Sequence, residues 1–100
     1  MTVSAPENAL TMLIRYSKNA VATLAKMRER DRAPIFEEIN KLTLDPCPVK
    51  LTPIASKPSS HKMIPVGEHR IVLRRSVFRG EPGYFIMEVM DEEDYYYYSH

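Results

Sequence analysis

The stretch His61–Met90, HKMIPVGEHRIVLRRSVFRGEPGYFIMEVM, decides the fold of this 100-residue chain. Side chains on a pleated backbone point to opposite faces with period two. In HRIVLRRSVF, Ile71, Leu73 and Val77 therefore share one face, and Arg70, Val72, Arg74 and Ser76 share the other. The run PVGE, Pro65 to Glu68, predicts a tight reversal before this strand, and FRGEPG, Phe78 to Gly83, predicts a looser one after it. In the last strand Phe85, Met87 and Val89 make an apolar face that alternates with the mixed set Tyr84, Ile86 and Glu88. Two reversals give a three-stranded antiparallel meander, which should cover a core on one side only.

Working upstream, ALTMLIRY, Ala9 to Tyr16, is apolar and compatible with a strand, and Ser17 is a good helix N-cap. From Lys18 to Arg30 the residues Ala20, Leu24 and Met27 recur at helical spacing, with Val21 widening the stripe. Asp31 is placed to close this helix and cap the next. In the second helix Pro34 is expected in the first turn, Ile35, Ile39 and Leu42 form the buried stripe with Phe36, and Glu37 pairs with Lys41 on the wet side. Asp45-Pro46 ends it. Pro46, Pro48, Pro53 and Pro58 then predict a long loop without regular structure up to Ser60. The fold class is α+β: an N-terminal strand, a two-helix hairpin and the meander, with both helices on one face of a small sheet. The hairpin also serves as a crossover, so the first strand can pair in parallel.

The length suits one domain, taken as residues 1–100 with 91–100 as an acidic and tyrosine-rich tail. Hydrophobic residues at 44% and charged residues at 27% fit a soluble globular protein, and no apolar run approaches the ~20 residues of a membrane span. The N-terminus lacks the pattern of a secretory signal, so a cytoplasmic location is expected. Cys47 is the single cysteine, which excludes an internal disulfide and a cysteine-rich zinc site. The net charge of +1 conceals segregation, because Asp91, Glu92, Glu93 and Asp94 account for four of the 13 acids. The rest of the chain is basic, which favours contact with a polyanion such as RNA.

Ser17 opening a helix, INKLTLDP (Ile39 to Pro46), VKLTPI (Val49 to Ile54) and HKMIPVGEHRIVL (His61 to Leu73) follow one another in an order that resembles the RelE/ParE toxin superfamily of bacterial type II toxin-antitoxin systems. The resemblance spans about Leu10 to Val89, with Leu73 standing where the family often has tyrosine. It implies a toxin, most simply a RelE-like, ribosome-dependent mRNA endoribonuclease that inhibits translation without metal or cofactor. The ParE-like alternative inhibits DNA gyrase and has no catalytic residues. A degenerate, non-toxic binding module is a third. A cognate antitoxin is the implied partner, with ribosome and mRNA, or gyrase, as the target and no membrane involved.

Attack of a 2′-hydroxyl on its neighbouring phosphodiester needs a proton acceptor, a proton donor and cations to stabilise the developing charge. The resemblance implies that role for Arg70, whose planar fork suits a phosphate, with Lys62 as a second cation and Tyr98 as the terminal tyrosine. Arg74, Arg75, Lys57 and Lys50 are candidate nucleic-acid contacts, although arginines and lysines on an exposed sheet face also keep it soluble. His69 and His100 are further candidates; alternation sets His69 on the face opposite Arg70. The chain departs from the family at its C-terminus, MDEEDYYYYSH, where acids replace a basic stretch. A carboxylate there would repel an RNA backbone, yet it also supplies a general base.

Overall fold

The computed structural model describes residues 12–44 and 47–100. The elements are β1 (Leu13–Tyr16), α1 (Lys18–Lys26), α2 (Glu29–Lys41), β2 (Thr52–Pro53), β3 (Lys62–Val66), β4 (His69–Phe78), β5 (Glu81–Asp91) and α3 (Glu92–Tyr98). They form an α+β structure around a five-stranded sheet of order β1-β5-β4-β3-β2, in which β1 lies parallel to β5 and the other pairs are antiparallel. The expected strand, helical hairpin and meander are all present. Ala9 to Thr11 of the first apolar run, and the helix-ending Asp45-Pro46, lie outside the described residues.

Ser17 begins α1 as expected, its Oγ accepting from the Ala20 amide at 2.9 Å. The same hydroxyl donates to the Met87 carbonyl at 2.6 Å, which fixes the helix start to β5. The helix stops earlier than its periodicity suggests. Met27 and Arg28 are extended, and Arg28 is the cap of α2, its carbonyl accepting from Asp31 and Arg32. Asp31 is therefore a first-turn acid of α2, stabilised by the helix dipole, and does not close α1. Arg32 closes the hairpin instead by donating to the Leu24 carbonyl at 3.2 Å. Pro34 falls in the second turn of α2, where its missing N–H leaves the Arg30 carbonyl without its helical donor. The helix survives because Ile35 and Ile39, followed by Leu42, bury fully against the sheet. Lys41 pairs with Glu38 at 2.7 Å, in place of the expected Glu37.

The core joins Ala20, Leu24, Ile35, Ile39 and Leu42 of the hairpin to Ile64, Ile71, Leu73, Tyr84, Ile86 and Val89 of the sheet. Strict alternation holds along β4. In β5 it breaks, because Ile71 opposes Val89 and Val72 opposes Glu88, but Leu73 opposes Ile86, leaving Met87 as the extra residue of a bulge. Tyr84 and Ile86 thereby turn inward with Val89, so the expected apolar face of Phe85, Met87 and Val89 is corrected to Tyr84, Ile86 and Val89. Phe85 faces outward. Val77 lies on the inner side of β4 but beyond the reach of the helices, and is 70% exposed.

Two further corrections concern prolines and glycines. Thr52-Pro53 adds a short edge strand to β3 where the proline-rich segment was expected to be irregular; at an edge Pro53 needs no ladder donor. The β4–β5 reversal is tight, with Phe78 opposite Glu81 and only Arg79 and Gly80 between them. Pro82 is in the strand, and Gly83 serves β1: a Cβ there would lie 1.9 Å from the Leu13 carbonyl oxygen.

The C-terminal residues are helical. Asp91 caps α3 by accepting from the Asp94 amide at 2.8 Å, and Glu92, Glu93 and Asp94 occupy the first turn, where negative charge is favoured. The helix folds back across β4 and β5 on the face away from α1 and α2, where Val72 is fully buried.

Candidate nucleic-acid interface

Pairing register places Arg70 opposite Pro65 and Met90, and Arg74 opposite Phe85, on the outer face that α3 partly crosses. Arg70 and Arg74 thus share a face, as alternation requires. The Arg70 guanidinium is already engaged. Its Nη1 donates to the carbonyls of Gly67 at 3.0 Å and His69 at 2.8 Å, and its Nη2 pairs with Glu92 Oε2 at 3.2 Å. The Arg70 side chain is 18% exposed and that of Glu92 61%, so the pair sits at the surface, with the carboxylate on its solvent side. The Glu92 amide donates to the Glu68 carbonyl at 2.9 Å, which holds the start of α3 against the β3–β4 turn. Arg74 is held only loosely, by a 3.4 Å bond to the Arg75 carbonyl and by the Phe85 ring, 5.2 Å from its Cζ.

Tyr98 lies at the other end of α3, roughly 9 Å along the axis from Glu92 at 1.5 Å per residue. Lys57 Nζ stands 4.2 Å from its ring centroid, and Ser56 Oγ donates to the Ser99 carbonyl at 2.6 Å, so the loop before β3 fastens this end. Desolvation pushes the Tyr98 phenol above its ordinary value, with smaller contributions from the Glu88 and Tyr95 charges. It stays protonated through neutral pH and is a proton donor. Glu88, which accepts from Asn19 Nδ2 at 3.2 Å, was absent from the residues singled out in the sequence. Its signal was a single acid inside the apolar run FIMEVM.

The remaining candidates are dispersed. Lys62 lies opposite Leu73, which turns it toward the helical side of the pleat, and its ammonium donates to the Ser59 carbonyl at 2.9 Å. Arg75 lies opposite Tyr84 on that same side, with its Cζ 5.2 Å from the Tyr84 ring. Lys50 shares a cleft with Glu38, Lys41 and Pro65. His69 lines a cleft with Arg30, Asp31 and Glu68, on the side away from Arg70. His100 Nδ1 lies 2.6 Å from the Tyr96 carbonyl, to which it must donate, and its ring stacks on Tyr96 at 4.3 Å. It completes the end of α3 and does not meet Tyr98. Among the described residues no three His, Cys, Asp or Glu side chains are grouped to hold a metal ion, and no helix is long and apolar enough to cross a membrane.

No family model matches the sequence, and no curated protein matches it. Among solved structures, the chain is similar to one in the crystal structure of the toxin-antitoxin complex RelBE2 from Mycobacterium tuberculosis. That match has a TM-score of 0.64 at 19% identity, covering 82% of this chain and 99% of the other. At that identity the likeness establishes the fold, which is the RelE-like arrangement that the sequence motifs imply.

Proposed function

We propose that this chain is the toxin of a type II toxin-antitoxin pair, acting in the cytoplasm as one domain, and that its target is messenger RNA on the ribosome. The observation that carries this is that Arg70 and Arg74 share the outer face that α3 crosses, with an Arg70 guanidinium nitrogen already on an anionic oxygen of Glu92. A phosphate oxygen presents the same charge and geometry to a guanidinium. In the proposed reaction the 2′-oxygen attacks phosphorus while Glu88 takes its proton. Arg70, released from Glu92, and Arg74 stabilise the charge on the phosphorane. The bond to the 5′-oxygen then breaks as Tyr98 donates its proton, leaving a 2′,3′-cyclic phosphate and a 5′-hydroxyl. Lys62 would have to swing around the β2–β3 edge to join, so the weight rests on the other four.

Expression in bacteria should arrest translation and yield cut transcripts, and Arg70→Ala and Tyr98→Phe should each restore growth. Transcripts that stay intact in a ribosome-containing extract would refute the nuclease. The neutralised state of Arg70 and the acids Glu68, Asp91, Glu92 and Glu93 around one cleft favour the second reading, a ParE-like gyrase inhibitor. Unchanged supercoiling by purified gyrase excludes that. Harmless expression leaves a degenerate binding module. An antitoxin fits either toxic form: Val21 and Phe36 are exposed beside Tyr16 and Leu24 in a groove along the helical hairpin, which suits an amphipathic segment.

A further inference from the structure

We infer that the β4–β5 hairpin end of the outer face continues the site outward from Arg74 as a contact surface for single-stranded RNA, built from alternating guanidinium groups and phenyl rings. Arg15 of β1, Phe85 of β5 and Arg74 of β4 are register partners across three adjacent strands. Arg15 Cζ lies 4.0 Å from the Phe78 ring centroid and 5.9 Å from that of Phe85. Arg74 Cζ lies 5.2 Å from Phe85, and Arg79 Cζ 5.1 Å from Phe78. The order is thus Arg79, Phe78, Arg15, Phe85, Arg74. None of the ion pairs among the described residues involves Arg15, Arg74 or Arg79. Glu81, opposite Phe78, is an acid at this end of the face, and the three guanidinium groups leave the balance positive.

An independent observation comes from the backbone of Arg79. Its φ of 52° is left-handed, and with Gly80 at 81° it makes the two-residue turn of the β4–β5 hairpin. Asn, Asp or Gly relieves strain at the first of these positions, and arginine does not. Backbone strain at a residue whose side chain then completes a row of cations is the kind of outlier from which function is argued. Guanidinium planes and phenyl rings are surfaces on which unpaired bases stack, while the charges meet phosphates. An acidic protein would satisfy the charges but has less use for the interleaved rings.

The inference rests on RNA as the target proposed above, and not on cleavage. Fluorescence anisotropy of the full chain with a short, labelled, unstructured RNA, without ribosomes, tests it. Arg79→Asn should bind roughly tenfold more weakly, and its log–log salt slope should fall by about 1, while its melting temperature stays equal or rises because asparagine suits the turn. Phe78→Leu should weaken binding comparably with the salt slope unchanged, the signature of lost stacking. Wild-type chain that binds no RNA, duplex DNA bound as tightly, or Arg79→Asn within twofold of wild type would each overturn the surface. Intact transcripts in the extract together with these binding losses would remove the nuclease and leave the surface standing.

Discussion

Replacing Gly83 by alanine tests the sheet at its tightest point. The new Cβ would lie 1.9 Å from the Leu13 carbonyl oxygen, 2.7 Å from its carbon and 2.9 Å from its nitrogen, all backbone atoms that no rotamer change can move. Restoring an ordinary contact of about 3.5 Å requires β1 to retreat by roughly 1.5 Å. That distance takes the nearest β1–β5 hydrogen bonds beyond useful range. Losing two or three of them at about 1 kcal/mol each, and loosening Ile14 and Tyr16 from the core, gives a destabilisation of roughly 2–4 kcal/mol. For a domain of this length that lowers the melting temperature by about 10–20 °C. Gly80→Ala is the control, because its Cβ meets nothing within 4 Å and only the φ of 81° is strained. It should cost about 1–2 kcal/mol. Urea denaturation of both variants gives the comparison directly. Gly83→Ala within 0.5 kcal/mol of wild type, or milder than Gly80→Ala, would refute the close approach of the two strands.

Glu92→Gln removes the solvent-side partner of Arg70; as an exposed pair it should change stability by less than about 1 kcal/mol while raising RNA affinity and toxicity, and unchanged affinity in filter binding counts against the phosphate-clamp role. Pro34→Ala restores a helical donor in α2 and removes a residue costing ~3 kcal/mol in helix interiors, offset by the entropy proline takes from the unfolded chain; a net gain of about 2 kcal/mol in denaturant unfolding is expected. The phenols of Tyr16 and Tyr98 are both raised by desolvation above their ordinary value of 10.0. Their contribution to stability is therefore complete below pH 10 and is lost as the pH rises from there through the folded values. Melting temperatures between pH 9 and 11.5 should fall, and fall less in Tyr16→Phe; an identical slope would contradict the burial of that hydroxyl.

What was legible in the sequence was what period and caps encode. The alternation of HRIVLRRSVF placed Ile71 and Leu73 in the core and Arg70 with Arg74 outside, and Ser17 marked the start of α1. The bulge at Met87 was not legible, since one inserted residue in an apolar run leaves no compositional trace and only the partner strand reveals it. The turn residues misled for a related reason: Glu81-Pro82-Gly83 reads as a reversal, yet Pro82 lies in the strand and Gly83 answers to Leu13, seventy residues earlier. The cap of α3 was present in DEED, whose acids draw attention as charge before they are seen as a helix start. At the site, the shared face followed from local pattern. The Arg70–Glu92 contact did not, because it depends on how α3 swings back over the sheet.

The parallel pairing of β1 with β5 also sets the order in which the molecule can be completed. Leu13 waits for Gly83, and the hydroxyl that opens α1 waits for a carbonyl 70 residues downstream. At synthesis rates of about 5–20 residues per second, that interval lasts roughly 4–14 seconds. Until it ends, the first strand has no neighbour. A chain still being translated thus lacks the finished sheet, and whatever the mature surface does to its target begins only after β5 has emerged to receive β1.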